Sequence, residues 1–380
     1  MNKRQHAVPL LGLVAASLLA LACNNDYGIY ASIQEEPAGA SSGPFYRTSV
    51  FEVISFNSAL FARRSTIAKQ GADNSWSTVL IADLGTAYSC IGLVKVGGTT
   101  LYAAISGKGL YSSADGSTWE QSLADSSIDS IYAANGKLFL SDHDEKGTPA
   151  VTTDDEWTLS VVSGGARSAA VTGLPLNSPP LGLVHDGSAY WAIAGSSVYS
   201  AASESGPFTA CTETGTPSVA LSSLLSSATP GVIYVGGAAG TIYRRAGAPS
   251  AWTPYSATSS AFPITTIREV PGSTASILLV GFGATTAGGG GYLEANPDSL
   301  ATIKDRRTST TDVYATTPAT NYDTTMSGRP VNDFTYVPAA TGTGGKLYAS
   351  LVTAGIAGAS GLYAADFDGT AWSSLGWQAQ

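Results

Sequence analysis

The sequence predicts an all-β protein built from repeated small sheets, and two observations support this prediction. The 380-residue chain is poor in the residues that build long amphipathic helices: charged residues make up only 12%, whereas glycine contributes 43 residues. In addition, one pattern recurs from Phe45 onward. It consists of an apolar strand, a short turn, a second strand with an aromatic residue, a polar turn and often a tryptophan.

Seven copies of this pattern can be placed along the chain. Each copy has a central aromatic residue or leucine, and these markers are Phe61, Tyr102, Phe139, Trp191, Tyr234, Leu279 and Tyr348. The average spacing is about 48 residues, the length of one four-stranded propeller blade. Six or eight units remain open alternatives, because the fourth and sixth copies match poorly.

The second copy shows the pattern most completely. Leu101–Ala104 predicts a buried strand, Lys108-Gly109 a tight turn and Leu110–Ser112 another strand. Residues 113–119, Ser-Ala-Asp-Gly-Ser-Thr-Trp, follow and resemble an Asp-box, also called a BNR repeat. This resemblance implies a turn between the third and fourth strands of a β-propeller blade, with structural roles for Ser113, Asp115, Gly116, Thr118 and Trp119.

The fold class that follows is an all-β propeller, most simply of seven four-stranded blades. The innermost strands are predicted to be the mostly apolar runs at 51–54, 90–94, 128–132 and 181–184. We expect Phe45–Ser49 and the chain near Trp372–Trp377 to pair in one blade and close the ring. The resemblance implies relatives of the sialidase, sortilin and photosystem-assembly-factor type, which share a scaffold and differ in function.

The N-terminus carries the most specific signal of location. Lys3 and Arg4 precede an apolar segment at 7–22, which is short for a permanent membrane helix and predicts a signal peptide. It ends in Leu-Leu-Ala-Leu-Ala-Cys at 18–23, which resembles a bacterial lipobox and implies cleavage before an acylated Cys23. Asn24, in place of Asp, favours the outer membrane by analogy. The alternative is an ordinary signal peptide that leaves Cys23 free.

Two aperiodic stretches flank or interrupt the repeats. Residues 23–44 are rich in Gly, Ser, Pro and acidic residues, so we expect a flexible tether between the lipid and the domain that occupies 45–380. The long sixth spacing contains a Thr-rich polar insertion at about 304–330. Arg306, Arg307 and Tyr322 within it are candidate partner-contacting residues, although the sequence favours a merely tolerated insertion over a recognition loop.

The charge pattern argues against nucleic acid as a partner. The formal net charge is −9, and no cluster of Lys and Arg forms a basic face. The pairs Arg63-Arg64, Arg244-Arg245 and Arg306-Arg307 are interpreted as solvated strand or loop charges.

No set of residues indicates a catalytic or metal site. The three arginines and the Tyr–Glu pair that a sialidase requires cannot be placed. Asp142–Gly147 lacks the fifth and twelfth ligands of a calcium loop and is interpreted as a solvated acidic turn.

His143 and His185 are interpreted as polar loop residues. Gly288–Gly291 is interpreted as a flexible hairpin loop. Cys90 and Cys211 fall on distant units, which favours two buried thiols over a disulfide.

The sequence therefore predicts no catalytic residues, no metal and no cofactor. The leading hypothesis is a monomeric, lipid-anchored extracytoplasmic protein that binds or scaffolds a protein partner. A glycan-binding or sialidase-like propeller is the first alternative, and a periplasmic assembly factor is the second. Exposure at the cell surface and exposure to the periplasm both remain open.

Overall fold

Seven four-stranded antiparallel sheets and one short hairpin are formed by the residues that the structure describes. The structure is a computed structural model. It describes residues 45, 48–147, 153–247, 250–256, 262–271, 275–285, 288–305, 326, 329–340, 344–352, 361–367 and 377–380.

The first four blades follow one another along the chain. Blade 1 contains β1 (Glu52–Phe56), β2 (Ala59–Arg63), β3 (Ile67–Gln70) and β4 (Trp76–Thr78). Blade 2 contains β5 (Cys90–Val96), β6 (Thr100–Ile105), β7 (Gly109–Ser113) and β8 (Glu120–Leu123). Blade 3 contains β9 (Ile128–Ala134), β10 (Lys137–Asp144), β11 (Glu156–Ser163) and β12 (Ala166–Ala170). Blade 4 contains β13 (Pro180–His185), β14 (Tyr190–Ala194), β15 (Ser197–Ala201) and β16 (Thr209–Ala210).

The remaining three blades repeat the arrangement, with one extra hairpin in blade 6. Blade 5 contains β17 (Leu221–Ser226), β18 (Ile233–Gly237), β19 (Thr241–Ala246) and β20 (Ala251–Ser256). Blade 6 contains β21 (Ile264–Val270), β22 (Ile277–Phe282), β25 (Tyr292–Ala295) and β26 (Thr302–Asp305), with the hairpin β23 (Ala284–Thr285) and β24 (Gly288–Gly289) inserted. Blade 7 contains β27 (Val331–Pro338), β28 (Gly345–Leu351), β29 (Gly361–Phe367) and β30 (Gln378–Ala379).

The blades form a closed ring around a central channel. The first strand of each blade contacts the first strand of the next, in the order β1, β5, β9, β13, β17, β21 and β27, and β27 contacts β1 again. The prediction of a seven-bladed all-β propeller is therefore confirmed. All seven sequence markers lie in the second strand of a blade, and the four predicted innermost runs coincide with β1, β5, β9 and β13.

Apolar packing between neighbouring blades forms the core. The second strands are the most buried because they lie between two strands of their own sheet and between two blades; every residue of β14 and β18 is buried. One cluster joins blades 1 and 2 through Phe56, Phe61, Leu101 and Trp119. Burial of such aromatic and aliphatic side chains is the main stabilising contribution to folds of this kind.

The ring does not close by a blade shared between the two ends, contrary to the expectation from the sequence. Blade 7 is completed by β30, which pairs with β29, while Phe45–Ser49 contributes no described strand. The amide of Val50 instead donates to the carbonyl of Leu351, and Phe45 is buried edge-on against Trp76. Because blades 1 and 7 each complete their own four strands, the seam between them is joined by packing and isolated hydrogen bonds. Residues 368–376, which include Trp372, lie outside the described residues.

The third unit also departs from the predicted pattern. Trp157 lies at the start of β11, the third strand of blade 3, and not at a turn between the third and fourth strands. Its ring stacks on His143 with centroids 4.6 Å apart and an interplanar angle of 5°. The polar loop predicted around His143 is therefore strand β10, and the histidine is a packed residue.

The predicted glycine loop in blade 6 is also partly strand. Gly288 and Gly289 form β24, and the amide of Gly291 donates to the carbonyl of Arg329 at 2.5 Å. Gly290 has a φ of +106°, and a Cβ at this position would lie 2.4 Å from the carbonyl carbon of Arg329. Glycine is required here because the two backbones approach closely. None of the described residues belongs to a helix with the length and hydropathy of a membrane span.

Candidate functional site

A pocket of about 200 Å³ opens where the innermost strands begin, at one end of the central channel. We call this side of the ring the upper face. The connections from one blade to the next, and those between the second and third strands of a blade, lie at this face because the strands alternate in direction. Blades 1, 4, 5, 6 and 7 line the pocket with Phe51, Glu52, Arg63, Leu181, Gly182, Ser222, Ser223, Leu224, Thr265, Thr266, Ile267, Arg268, Asn332 and Asp333.

β-Bulges near the start of the innermost strands shape this end of the channel. In blades 2 to 7 the pairing of the first two strands skips one residue at this point: Ile91, Asp129, Leu181, Ser222, Thr265 and Asn332. A bulge bends the strand and redirects its side chains. Two polar bulge residues then bind the following blade: Ser222 donates to the carbonyl of Ile264 at 2.5 Å and Thr265 donates to that of Val331.

Blade 1 contributes the first ion pair of the pocket. The Nε atom of Arg63 lies 2.6 Å from Oε1 of Glu52, and the same oxygen accepts the backbone amide of Leu93 in blade 2 at 2.9 Å. The Arg63 guanidinium also covers the Phe51 ring, 4.6 Å from its centroid. Glu52 is therefore fixed between two blades, with its side chain 25% exposed toward the channel.

Blades 6 and 7 contribute the second ion pair. Nη2 of Arg268 lies 2.8 Å from Oδ1 of Asp333, and Thr266 donates to this oxygen at 3.0 Å. Nε of Arg268 donates to the carbonyl of Phe334 at 3.3 Å. The two pairs therefore place two carboxylates and two guanidinium groups on adjacent blades, which we call the charged wall: Glu52, Arg63, Arg268 and Asp333.

The electrostatics of the charged wall follow from burial and proximity. Burial raises the pKa of Glu52 above its usual value; Arg63 opposes this shift and Asp333 adds to it. The neighbouring carboxylate of Asp333, with a smaller contribution from Glu52, raises the pKa of Arg268. The two pairs thus interact electrostatically with each other along one side of the channel.

The opposite side of the pocket, in blades 4 and 5, carries no charged side chain. It consists of Leu181, Gly182, Ser222, Ser223 and Leu224. Leu181 is 44% exposed, which is unusual for a leucine on an innermost strand. The pocket therefore has one charged wall and, opposite it, an uncharged wall whose exposed apolar side chain is Leu181; we call this side the apolar wall.

Sequence reasoning missed this site. Arg63 was interpreted as a solvated charge, but its side chain is only 17% exposed and is ion-paired. The same correction applies to Arg245, which binds Glu213 through Nε and Nη2 and lies 4.4 Å from the centroid of the Trp191 ring. A charged residue inside an otherwise apolar innermost strand, such as Glu52, was the signal that could have indicated the site.

The residues predicted from the Asp-box resemblance meet in the turn between β7 and β8. Oδ1 of Asp115 accepts the amides of Ser117 and Thr118, each at 2.7 Å, and the hydroxyl of Ser113 at 3.0 Å. Oδ2 accepts the Thr118 hydroxyl at 3.0 Å, and the amide of Gly116 donates to the Ser113 hydroxyl at 2.8 Å. The Thr118 and Ser117 amides hold the pKa of Asp115 well below its usual range.

This turn also fits against the neighbouring blade. Gly116 has a φ of +72°, and a Cβ there would lie 2.3 Å from Cζ of Phe61 in blade 1. Trp119 is buried in the cluster that joins blades 1 and 2. Because it connects the third and fourth strands of its blade, the turn lies on the face of the ring opposite the pocket, which we call the lower face.

Blade 6 contains a related turn at the corresponding place, which the sequence pattern did not reveal. Oδ1 of Asn296 accepts the amides of Asp298 and Ser299 at 2.9 and 3.0 Å. Leu300 lies four residues after Asn296 and is buried. It corresponds to the buried Trp119, which lies four residues after Asp115. An amide thus replaces the carboxylate, and a leucine replaces the tryptophan.

Several predicted residues lie outside the described residues. These are Cys23 with the tether, and Arg306, Arg307 and Tyr322 of the insertion. The segment 306–330 connects the end of β26 to the start of β27. The strand residues that flank it, Asp305 and Val331, therefore lie at the upper face.

The segment Asp142–Gly147, predicted as a solvated acidic turn, begins within β10 and is only partly solvated. Asp142 is buried and its Oδ1 lies 2.7 Å from Nη2 of Arg167, whereas Asp144 is exposed and pairs with Lys146 at 2.9 Å. Among the described residues, no three His, Cys, Asp or Glu side chains are placed to hold a metal ion.

The remaining predicted loop residue and the two cysteines occupy structured positions. His185 ends β13 and contacts the Tyr190 ring edge-on. Cys90 and Cys211 are both free thiols, as favoured from the sequence, although Cys211 is only half-buried. Burial raises the pKa of Cys90 to about 12 and that of Cys211 to about 11.

Comparison with known proteins shows similarity of fold without similarity of sequence. No family model and no curated protein sequence match the chain. An ancestral GH74 enzyme has a TM-score of 0.60 at 15% identity, over 89% of this chain and 47% of that chain. The extracellular domain of BT4673 from B. thetaiotaomicron has a TM-score of 0.50 at 13% identity, over 88% of this chain and 47% of that chain.

The computationally designed Ika8 protein is similar over nearly its whole length. Its TM-score is 0.53 at 10% identity, over 89% of this chain and 98% of the designed chain. By contrast, this chain spans less than half the length of the GH74 enzyme and of BT4673. Such low identities show the fold alone. By its own topology and by these similarities, the chain is a seven-bladed β-propeller.

Proposed function

We propose that this protein is a lipid-anchored extracytoplasmic binding protein that presents the upper face of its propeller to a protein partner. The lipobox-like segment at 18–23 supports the anchor, with Cys23 as the acylated residue. Acyl chains contribute roughly 0.8 kcal/mol per buried CH₂ group, so two or three chains anchor a protein stably. The Gly/Ser/Pro-rich segment at 24–44 would hold the domain away from the membrane.

The asymmetry between the two faces supports the upper face as the binding surface. Long connections at 145–155, 283–291, 306–330 and 352–360 join strand ends that lie at this face. Several connections at the lower face are short, such as Asn57-Ser58 and Asn135-Gly136. Long connections on a rigid scaffold are the usual carriers of recognition.

The single observation that favours binding over hydrolysis is the state of the two pocket carboxylates. Glu52 and Asp333 each form an ion pair with an arginine, at 2.6 and 2.8 Å. A glycosidase needs one carboxyl group that can give up a proton and another that can attack or activate water. An arginine in contact with a carboxylate stabilises its charged form, which makes the carboxylate a weaker nucleophile and a weaker base. The sialidase-like alternative is therefore not favoured by the pocket.

The scaffold is proposed to be of the Asp-box type. The hydrogen bonds of Asp115 and the burial of Trp119 support this interpretation of residues 113–119. The turn at Asn296 supports a second, degenerate copy in blade 6. This assignment concerns architecture and does not select a ligand.

The anchor is tested by replacing the proposed lipidated residue. Cys23→Ala should release the protein from the membrane fraction and abolish palmitate labelling, while Cys211→Ala should do neither. Retention of labelled protein in the membrane fraction after Cys23→Ala would overturn the proposed anchor.

The location and the binding face are tested together. Protease treatment of intact cells should remove the protein if it faces outward; protection until lysis would favour the periplasmic assembly-factor alternative. A photo-crosslinking residue at Lys108, exposed on the upper face, should capture a protein partner, and one at Thr99, exposed on the lower face, should not. Capture from Thr99 alone, or from neither position, would contradict the proposed surface.

A further inference from the structure

We propose that the central pocket binds one neutral, polyhydroxylated unit, a single sugar residue, and holds it without cleavage. This goes beyond the proposed protein partner, since it assigns a small ligand to the channel. The four residues of the charged wall and Leu181 of the apolar wall carry the inference. The insertion at 306–330 plays no part in it.

Each carboxylate of the charged wall uses only one of its two oxygens. Both hydrogen bonds to Glu52 go to Oε1, and both side-chain bonds to Asp333 go to Oδ1. Within the described part of the chain, Oε2 of Glu52 and Oδ2 of Asp333 accept no hydrogen bond. A carboxylate can accept about four, so both groups keep unused acceptors.

The arginines keep unused donors in the same way. Arg63 donates from Nε, and Arg268 donates from Nε and Nη2. Among the described residues, neither Nη atom of Arg63 nor Nη1 of Arg268 has a partner. A guanidinium has five N–H groups in one fixed plane. Because the existing bonds already hold this plane in place, the remaining N–H groups can bind a ligand without further loss of side-chain freedom.

Hydroxyl groups match this alternation of donors and acceptors. A hydroxyl donates one hydrogen bond and accepts two, so it can bind a carboxylate oxygen and an arginine N–H group together. Neighbouring hydroxyls of a sugar ring present several such groups in a fixed arrangement. Because Glu52 and Asp333 are already held in place by protein partners, they lose little side-chain entropy when a ligand binds.

Charge balance favours a neutral ligand. The charged wall contains two carboxylates and two guanidinium groups, so its formal charges cancel. A ligand with net charge would lose its hydration on entering the channel and find no uncompensated opposite charge. A neutral polar ligand avoids this cost while using the same hydrogen bonds.

The apolar wall complements the other face of a sugar ring. Leu181 is 44% exposed and stands beside Gly182, which contributes no side-chain bulk. Covering this leucine with the C–H face of a ring would remove apolar surface from water. The volume of about 200 Å³ is below that of pockets for drug-sized ligands, in keeping with one sugar unit.

Saturation-transfer NMR on the full chain in detergent tests the proposal. The probes are glucose, galactose, mannose and N-acetylglucosamine as neutral sugars, with sialic acid as an anionic comparison and leucine as a zwitterionic one. We expect transfer to at least one neutral sugar and weaker transfer to both charged compounds. Arg268→Gln and Asp333→Asn should each weaken binding about tenfold or more, since each removes a charged hydrogen-bonding group.

Matched controls separate loss of the site from loss of the fold. Arg244 and Asp298 form another arginine–aspartate pair, 3.2 Å apart and outside the pocket, so Arg244→Gln and Asp298→Asn should leave sugar binding unchanged. Leu181→Ser should weaken binding without lowering the melting temperature, because Leu181 is largely exposed. The Leu181→Ser variant therefore keeps the test valid if a charged-wall variant fails to fold.

Three results would overturn the proposal. They are the absence of transfer to any neutral sugar, stronger transfer to sialic acid or leucine, and neutral-sugar binding that survives both Arg268→Gln and Leu181→Ser. Crosslinking from Lys108 tests the protein partner separately, so either proposal can fail without the other.

Discussion

The hydroxyl of Thr335 donates to the backbone carbonyl of Val53 at 2.7 Å and so joins the last blade to the first. Asn332 and Ser350 in blade 7 both donate to the carbonyl of Phe51 in blade 1. The seam of the ring is thus joined by side chains that reach the backbone of the adjacent blade. No described strand crosses from one of these two blades into the other.

Thr335→Val should weaken this seam. Valine keeps the shape of threonine but leaves the Val53 carbonyl without its hydrogen bond, so we expect a loss of about 1–2 kcal/mol in the free energy of unfolding. Urea-induced unfolding measures the change. Thr99→Val, in an exposed hairpin of blade 2, is the control and should have almost no effect. Equal effects of the two variants would show that the seam bond contributes nothing.

Gly116→Ala should destabilise the protein more than an alanine at another glycine with the same backbone conformation. Gly116 has a φ of +72° and Gly85 a φ of +65°, so both substitutions add the strain of a left-handed conformation. A Cβ at Gly116 would also lie 2.3 Å from Cζ of Phe61, whereas one at Gly85 would have no atom within 4 Å.

We expect Gly116→Ala to cost about 1–3 kcal/mol beyond the cost of Gly85→Ala, because the buried Phe61 ring must move. The comparison of melting temperatures and urea midpoints isolates this steric contribution. Similar losses for the two variants would mean that the turn relaxes away from the ring.

Arg245→Met should be far more destabilising than Arg244→Met, although the two residues are adjacent. Arg245 is 14% exposed, binds Glu213 with contacts of 2.6 and 2.8 Å, and covers Trp191. Removing it leaves Glu213 without its partner, at a cost of about 2–4 kcal/mol.

Arg244 pairs with Asp298, whose side chain is 92% exposed, so its replacement should cost less than about 1 kcal/mol. Unfolding in urea distinguishes the two variants. A larger effect for Arg244→Met would contradict the assignment of these ion pairs.

Asp115→Ala should lower stability in a pH-dependent manner. The pKa of Asp115 is below its usual value in the folded protein because the Thr118 and Ser117 amides bind the carboxylate. The carboxylate therefore stabilises the fold at every pH above the pKa of an unfolded aspartate, and this contribution is lost as the pH falls toward the folded-state pKa.

The difference in melting temperature between wild type and Asp115→Ala should be constant from pH 7 to about pH 5 and shrink below about pH 4. Asp298→Ala, at an exposed position, is the control. A difference that grows with acidity would contradict the sign of this linkage.

Sequence patterns were sufficient to predict those features that are formed by residues close together in the chain. The Asp115 turn closes through atoms at most three residues apart, so its residue types could be identified from a single segment. The second strands could be located through Phe61, Trp191 and Tyr348 because a short, mostly buried apolar run with a central aromatic residue or leucine repeats in each blade. The turn at Asn296 was missed because it contains neither the aspartate nor the tryptophan of the pattern.

The pocket could not be identified in the same way. Arg268 and Asp333 come from different blades, and Glu52 lies far from both in sequence. Their proximity depends on ring closure and on bulges such as those at Thr265 and Asn332, which redirect side chains by one residue. A change of one residue in register moves a side chain to the other face of its strand, so the sequence did not determine what faces the channel.

The sequence by itself determined the all-β class, the repeated units with their second strands, and the turn at Asp115, because strand periodicity and turn chemistry act over a few residues. Only the tertiary structure decided how the ring closes, that Arg63 and Arg245 are buried in ion pairs, and that the charged wall faces Leu181 across the channel. These features depend on contacts between blades, whose geometry emerges when distant strands pack around a common channel.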